Sequence, residues 1–318
     1  KGRGEIGIIS SGVASRYAME IAPDADFLLL GMTWPLPEAK IREFAKSVKK
    51  LYVIEELEPY LEERIRAMGI EVTGKSAFPR LGELNPELVR KGIFGDIPES
   101  VRIPTDVSIP MRPPVLCPGC PHRGFFHVVA KNKLFVTGDI GCYTLSVLPP
   151  LTSMDTCICM GASISGAIGF AKAFEDQPGK RVVAVLGDST FMHSGLTGLM
   201  DVVYNRAKVI VCVLDNRTTA MTGHQEHPGT GFTVKGVPTH AVDIAEVARA
   251  LGVKQVYETD PFNIADTDRV MKECMTLDEP SVIVAKRACA LKCRNVDFAL
   301  SVVNQEKCRK CKACLKIG

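Results

Sequence analysis

The chain has 318 residues, of which 46% are hydrophobic and 24% are charged, and its net charge is +3. This composition is typical of a globular protein large enough for two or more domains. No apolar run approaches the roughly 20 residues that cross a bilayer, and there is no signal peptide, so we expect a cytoplasmic protein without a membrane partner. The basic residues near the C-terminus are not interleaved with aromatic side chains, which argues against nucleic acid.

Strand and helix patterns alternate over residues 1–74 and predict a small α/β domain with a parallel sheet. The predicted elements are Ile6–Ser10, Val13–Ile21, Phe27–Leu30, Pro37–Val48, Leu51–Ile54, Pro59–Met68 and Ile70–Val72. Residues 75–114 are rich in proline and show little periodicity, which predicts a linker over the surface. Because the chain starts at Lys1 and enters a strand almost at once, we expect an internal fragment.

Residues 115–300 predict a second α/β domain with a parallel sheet. Residues 181–187 and 208–214 are apolar and β-branched, as in buried parallel strands. The segment 194–205 between them has the length and apolar spacing of a helix, with Ser194 as its expected N-cap. The three segments therefore predict one βαβ unit.

Two polar side chains follow these strands directly. Asp188 comes after the first strand and Asn216 after the second. The carboxyl ends of parallel strands lie at one edge of a sheet, where α/β folds bind ligands. Carboxylate and amide oxygens suit Mg²⁺, and the backbone carbonyl of Thr218 would complete the set. Turn chemistry after two strands is the alternative interpretation.

The 12 cysteines are unevenly spaced, and their clustering carries the information. Cys308, Cys311 and Cys314 have the Cys-x-x-Cys-x-x-Cys spacing of a ferredoxin loop that binds a 4Fe-4S cluster. A zinc knuckle or a Lys-rich tail with incidental thiols is the alternative. Four other cysteines are expected to be small buried side chains, namely Cys157, Cys159, Cys212 and Cys274.

Several further segments place glycine, cysteine and histidine close together. They are Cys117–Arg123, Gly138–Thr144, Met160–Ser163, Phe191–Gly195 and Asp215–Gly223. With Gly187-Asp-Ser and Asn216, these segments resemble the alpha subunits of the indolepyruvate ferredoxin oxidoreductases, within the thiamine-diphosphate-dependent 2-oxoacid:ferredoxin oxidoreductase family. Ser189 stands where the family motif usually has a second Gly. The resemblance covers essentially the whole chain.

The resemblance implies a domain organisation. Residues 1–74 would be a transketolase C-terminal-like domain, 115–300 the thiamine diphosphate and magnesium domain, and 301–318 the start of a ferredoxin-like domain. The pyrimidine-binding domain and the rest of the ferredoxin domain are expected outside this sequence. Met160 and Gly161 open a glycine- and alanine-rich helix, and in the family the equivalent turn touches thiamine. Tight packing of this helix against the sheet is the alternative reason for its small residues.

The resemblance also implies site residues. Those expected at thiamine diphosphate are Gly141, Cys142, Met160, Gly161, Gly187, Asp188, Ser189, Asn216 and Thr218. Those expected at a proximal 4Fe-4S cluster are Cys117, Cys120, Cys142 and Cys289. Cys293 lies one helical turn from Cys289 and stays an alternative ligand, and a structural zinc pair is the alternative for Cys117 and Cys120.

Histidines in the motif segments are the candidates for proton transfer. His122 and His193 would move a proton or bind a substrate carboxylate, although a structural role is the alternative for each. His224, His227 and His240 lie on the Gly- and Pro-rich loop after Asn216, which resembles a mobile flap. Their individual roles are open at this point.

The implied reaction is oxidative decarboxylation of aryl 2-oxo acids such as indolepyruvate. Coenzyme A would take the acyl group, and electrons would pass through 4Fe-4S clusters to ferredoxin, with a beta subunit as partner. Two other classes stay open. One is a non-redox thiamine-dependent lyase or synthase with structural zinc, and the other is a non-catalytic electron-transfer fragment.

Overall fold

The chain forms two compact units, residues 1–110 and 111–318, and both are α/β folds with parallel sheets. The structure is a computed structural model, and it describes residues 4–97, 108, 110–177, 179–293 and 302–316. Among these residues no helix combines the length and the apolar character that crossing a membrane requires.

The first unit contains a three-stranded parallel sheet with the strand order β2-β1-β3. Its elements are β1 (Ile6–Ser10), α1 (Ala14–Ile21), β2 (Asp26–Leu29), α2 (Glu38–Lys46), β3 (Lys50–Ile54), α3 (Tyr60–Ala67) and α4 (Pro86–Phe94). Successive side chains of a strand point to opposite faces, so Ile8 enters one apolar cluster and Ile9 the other. Both faces of the parallel sheet are therefore covered.

Helix α4 lies within the segment predicted to be a linker. The side chain of Asn85 accepts a hydrogen bond from Leu88 N, and Gly95 ends the helix with a φ of 82°. Val89 and Ile93 are buried in the same apolar cluster as Tyr52. The prediction of a surface linker over residues 75–114 is therefore wrong at this helix, because its apolar face packs on the sheet.

The second unit contains a six-stranded parallel sheet with the order β5-β4-β6-β7-β9-β8. Its strands are β4 (Phe135–Gly138), β5 (Thr156–Cys157), β6 (Val182–Gly187), β7 (Val209–Asp215), β8 (Gln255–Thr259) and β9 (Ser281–Lys286). Its helices are α5 (Pro121–Lys131), α6 (Ala162–Ala173), α7 (Asp188–Thr190), α8 (Leu196–Tyr204), α9 (Ile244–Ala250) and α10 (Ile264–Thr276). Apolar clusters cover both faces, which explains the continuous hydrophobic runs of the central strands.

The order of the strands reverses between β4 and β6. From β4 the chain moves outward to β5, whereas from β6 it moves the other way to β7. Open α/β sheets bind ligands at such a reversal, beyond the carboxyl ends of the strands. We therefore expect a ligand site among the residues that follow β4, β6 and β7.

Two predicted local features differ from the structure. Ser194 is not an N-cap, because the helical run begins at Asp188 and passes through a π turn, Phe191–Gly195, into α8. Ile70–Val72 is not a strand, and an isolated bridge joins Tyr52 to Thr73 instead.

Four cysteines were predicted to be small buried side chains, and two of them are. Cys212 lies inside β7 and Cys274 inside α10, and both are buried. Cys157 and Cys159 are exposed, so the prediction is wrong for these two. They belong to the short edge strand β5 and the turn after it, which the second unit leaves open to solvent.

Candidate active site

Asp188 and Asn216 lie side by side at the carboxyl edge of the second sheet. Strands β6 and β7 pair in register, with Gly187 opposite Leu214, and each is followed at once by polar side chains. Asp188 is 2% exposed and Asn216 is 8% exposed. The βαβ unit predicted from the sequence thus brings the two predicted cation ligands together.

Several buried oxygens gather at this edge of the sheet. Asp188 Oδ1 accepts a hydrogen bond from Ser189 N at 2.8 Å, and Asn216 Oδ1 accepts one from Thr218 N at 3.2 Å. Asp188 Oδ2 and Thr218 Oγ1 are buried without a hydrogen-bond partner among the described residues. Buried polar atoms are rarely left unpaired, so these oxygens fit a hard divalent cation such as Mg²⁺.

One pocket of about 90 Å³ gathers most of the predicted cofactor residues. The predicted residues that line it are Gly141, Cys142, Met160, Gly187, Asp188, Ser189, Asn216 and Thr218. They come from the ends of β4, β6 and β7 and from the turn before α6. The predicted cofactor residues therefore converge on one pocket beside the buried oxygens.

Gly161 holds the turn before α6 in place rather than lining the pocket. Its φ is 90°, which L side chains rarely adopt, and its N–H donates to the buried Asp139 Oδ2 at 2.7 Å. Ser163 Oγ donates to the same carboxylate oxygen at 3.0 Å. Asp139, which follows β4, therefore accepts two hydrogen bonds at the N-terminus of α6, next to Met160.

A second cavity, of about 80 Å³, lies beside the cofactor pocket and collects thiols. All four cysteines predicted at the proximal cluster line it, namely Cys117, Cys120, Cys142 and Cys289. Burial raises the pKa of Cys120 to about 11, and the three other thiols contribute in the same direction. Soft thiol donors in one cavity are the chemistry that an iron-sulfur cluster or zinc requires.

The structure does not by itself present a closed metal cage. Among the described residues, no group of three Cys, His, Asp or Glu side chains is arranged to hold a metal ion. Cys308, Cys311 and Cys314 lie within described residues 302–316 and are exposed. The cluster roles of both cysteine sets therefore stay predictions.

His122 and His193 differ sharply in their surroundings. His122 is 4% exposed and lines both the cofactor pocket and the thiol cavity. Burial lowers the pKa of His122 to about 4, so its imidazole is neutral near pH 7. His193 is exposed in the π turn, where its Nδ1 contacts the hydroxyl of Ser194, and it does not line the pocket.

Sequence reasoning missed three residues beside the cation oxygens. Burial and the neighbouring Asp188 raise the pKa of Asp215 to about 6. Tyr143 is buried and its hydroxyl donates to Ile140 O at 3.0 Å, while burial raises its pKa. His227 lies with its Nε2 3.1 Å from Asp188 Oδ2. Asp215 and Tyr143 stand inside the quoted motifs. His227 lies on the loop that resembles a flap, but no sequence pattern predicted its contact with Asp188.

Comparison with known proteins agrees with this geometry. Residues 139–285 match the family model described as thiamine pyrophosphate enzyme, C-terminal TPP binding domain. Curated proteins named indolepyruvate oxidoreductase subunit IorA also match. The one from Pyrococcus horikoshii is 36% identical over 98% of this chain, and the one from Archaeoglobus fulgidus is 37% identical over 92% of it. Over nearly its whole length this chain is similar to these IorA subunits.

The match covers only part of the IorA relatives. The chain spans about half their length, 54% for the Pyrococcus horikoshii subunit and 50% for the Archaeoglobus fulgidus one. Among solved structures, a 2-oxoglutarate:ferredoxin oxidoreductase from Magnetococcus marinus has a TM-score of 0.49 and 18% identity, covering 56% of this chain and 65% of that one. A putative thiamin diphosphate-dependent enzyme from Mycobacterium smegmatis has a TM-score of 0.40 and 15% identity, over 90% of this chain and 62% of that one.

Proposed function

We propose that this chain carries the thiamine-diphosphate site of a 2-oxoacid oxidoreductase that oxidatively decarboxylates aryl 2-oxo acids, indolepyruvate among them. The observation that carries the proposal is the placement of Asp188 and Asn216 at paired strand ends, with unpartnered buried oxygens facing one pocket. The relatives' name, indolepyruvate oxidoreductase subunit IorA, supports the substrate class.

The residues present suit a diphosphate bound through magnesium. Asp188 and Asn216 would supply side-chain oxygens and Thr218 a backbone carbonyl, leaving the other coordination positions to phosphate and water. A Cβ added at Gly187 would lie 3.0 Å from Cε1 of Tyr143. A side chain at position 187 would therefore press on the Tyr143 ring. When bound, thiamine diphosphate supplies the electron sink for decarboxylation.

The thiol cavity supports a redox reaction rather than a non-redox one. Cys142 lines both the cofactor pocket and the thiol cavity, so the two sites share a wall. A 4Fe-4S cluster bound by Cys117, Cys120, Cys142 and Cys289 would therefore stand next to the cofactor. We propose that electrons leave by this route towards clusters such as one at Cys308, Cys311 and Cys314, and then to ferredoxin. Coenzyme A would accept the acyl group, and a beta subunit would complete the enzyme.

His122 is assigned a role that suits a neutral imidazole. Its Nε2 lies 3.4 Å from Asn216 Nδ2, so it accepts a hydrogen bond that holds the amide in place. With a pKa near 4 it is a poor general acid at neutral pH. Orientation of Asn216 and contact with the substrate are therefore the functions we assign to His122, while His193, outside the pocket, is the weaker catalytic candidate.

The test uses the full-length subunit together with its partner subunit, purified without oxygen. Iron content, thiamine and coenzyme A dependence, and indolepyruvate-dependent reduction of ferredoxin or a viologen dye are measured. Iron with reduction that needs both thiamine diphosphate and coenzyme A would support the proposal. Zinc at the cysteines, or turnover of the 2-oxo acid without electron transfer, would overturn it in favour of a lyase or synthase.

A further inference from the structure

His227 is buried against the carboxylate expected to bind the cation. It lies on the loop that follows β7, whereas Asp188 follows β6. The Nε2 atom of His227 is 3.1 Å from Asp188 Oδ2, and the two side chains are only 4% and 3% exposed. His227 and Asp188 are far apart in the sequence, yet their side chains meet at the carboxyl edge of the sheet.

Both facing atoms lack another partner. The distance between them is that of an ion pair, yet neither reaches hydrogen-bond geometry, and neither Asp188 Oδ2 nor His227 Nε2 has a hydrogen-bond partner among the described residues. Thr218 Oγ1 is unpartnered in the same way. Because leaving buried polar atoms unpaired is costly, a small rotation that aligns His227 with Asp188 is favourable.

The other ring nitrogen fixes which proton faces the carboxylate. Gly229 N donates to His227 Nδ1 at 3.2 Å, so Nδ1 is an acceptor and the neutral ring carries its proton on Nε2. An Nε2 that carries a proton has no lone pair for a metal ion. Its Nε2–H is a donor within reach of Asp188 Oδ2, and outer residues orient metal-binding carboxylates through donors of this kind.

Arg217 holds the loop that carries the His227 imidazole. Arg217 Nη1 donates to Gly229 O at 2.8 Å, and Arg217 Nε lies 3.4 Å from Asp215 Oδ2 at the end of β7. A Cβ added at Gly229 would lie 3.1 Å from His227 Cε1, so a side chain there would press on the ring. Through Gly229, the loop is thereby joined to the sheet edge two residues after His227.

We propose that His227 is a positioning residue for the cation site: its Nε2–H donates to Asp188 Oδ2 and holds the carboxylate with its remaining lone pairs directed at the ion. This inference rests on the proposed function, since it assumes that a divalent cation with diphosphate binds at Asp188. The loop after β7 would then contribute to cation binding through the side chain of His227.

The test measures Mn²⁺ binding to the full-length subunit, assembled with its partner and saturated with thiamine diphosphate, from the loss of the free Mn²⁺ resonance. His227→Phe keeps an aromatic ring of similar size without the donor, and His227→Gln keeps a donor. His240→Asn is the control, because His240 lies on the same loop and is exposed. We expect His227→Phe to weaken Mn²⁺ binding by about 10- to 100-fold, His227→Gln to recover part of the loss, and His240→Asn to match the wild type.

The outcomes separate the inference from the proposed function. If the wild type does not bind Mn²⁺ in the presence of thiamine diphosphate, both are overturned. If the wild type binds and His227→Phe binds equally well, the inference alone is overturned. Electron spin echo modulation from a directly bound nitrogen would also overturn it, because His227 would then be a ligand. Thermal unfolding of each variant identifies a misfolded protein, and His227→Gln then decides the question.

Discussion

The imidazole of His122 lies 3.4 Å from the side-chain amide of Asn216, at the wall between the cofactor pocket and the thiol cavity. One buried neutral ring therefore contacts a proposed cation ligand on one side and the cysteine cavity on the other. Charging this ring would place a cation beside the thiols and disturb both sites together.

The first prediction concerns pH. Burial lowers the pKa of His122 from 6.5 to about 4, so the unfolded chain binds this proton more readily than the folded one. The contribution of neutral His122 to the free energy of unfolding is therefore complete above about pH 6.5. It is lost as the pH falls towards 4, and the loss amounts to ~3 kcal/mol. His122→Phe should flatten the pH dependence of urea unfolding in this window. His240→Asn should leave it unchanged, and an unaltered slope in His122→Phe would contradict the assignment.

The second prediction tests the cation ligand. Asp188→Asn keeps the shape of the side chain but removes the charge, so we expect divalent cation binding with thiamine diphosphate to fall by at least about 10-fold. Isothermal titration gives the affinity, and Asp176→Asn, on an exposed turn, is the control. Equal affinities would exclude Asp188 as a ligand.

The third prediction separates two neighbouring thiols. Cys289 lines the thiol cavity, and its N–H donates to Asn216 O at 2.9 Å, whereas Cys293 does not line that cavity. After anaerobic reconstitution, Cys289→Ser should lose the iron of one cluster and Cys293→Ser should retain it. Iron analysis and the visible absorption of the protein check this, and the reverse pattern would assign Cys293 instead.

The fourth prediction compares two glycines of one helix. A Cβ at Gly161 would lie 2.5 Å from Ser194 Cβ, and its φ of 90° already disfavours L residues, so Gly161→Ala should destabilise the chain by roughly 1–3 kcal/mol. Gly169 has nothing within 4 Å of such a Cβ in the middle of α6, so Gly169→Ala should stabilise by about 0.5–1 kcal/mol. Urea unfolding measures both. A destabilised Gly169→Ala would show that this face of the helix packs against something else.

Much of the fold follows from local pattern. The buried strands β6 and β7 are continuous apolar runs, and the polar residues that follow them were predicted to meet at one edge of the sheet, where the structure places them. Helix α4 was missed because it lies in a proline-rich segment and its apolar face is short. That face, Val89 and Ile93, is recognisable only once it packs on the sheet. Ser194 was taken as an N-cap because the π turn before it has no signature in spacing.

Side-chain proximity across long separations was beyond sequence reasoning. His227 and Asp188 are brought together by the path of the loop after β7, which depends on contacts such as that of Arg217 with Gly229 O. The exposure of Cys157 and Cys159 likewise depends on the position of β5 at the edge of the sheet. Neither relationship leaves a periodic trace in the chain.

The fifth prediction uses those exposed thiols. Cys157 and Cys159 should react with iodoacetamide in the native chain, and Cys212 and Cys274 should react only after unfolding, because they are buried. Partial burial raises the pKa of Cys157, and its Sγ lies 3.5 Å from Asp139 O, so less of it is thiolate. We therefore expect Cys159 to be modified faster than Cys157. Peptide mass spectrometry over a time course measures the order, and labelling of Cys212 at the rate of Cys159 would contradict its position inside β7.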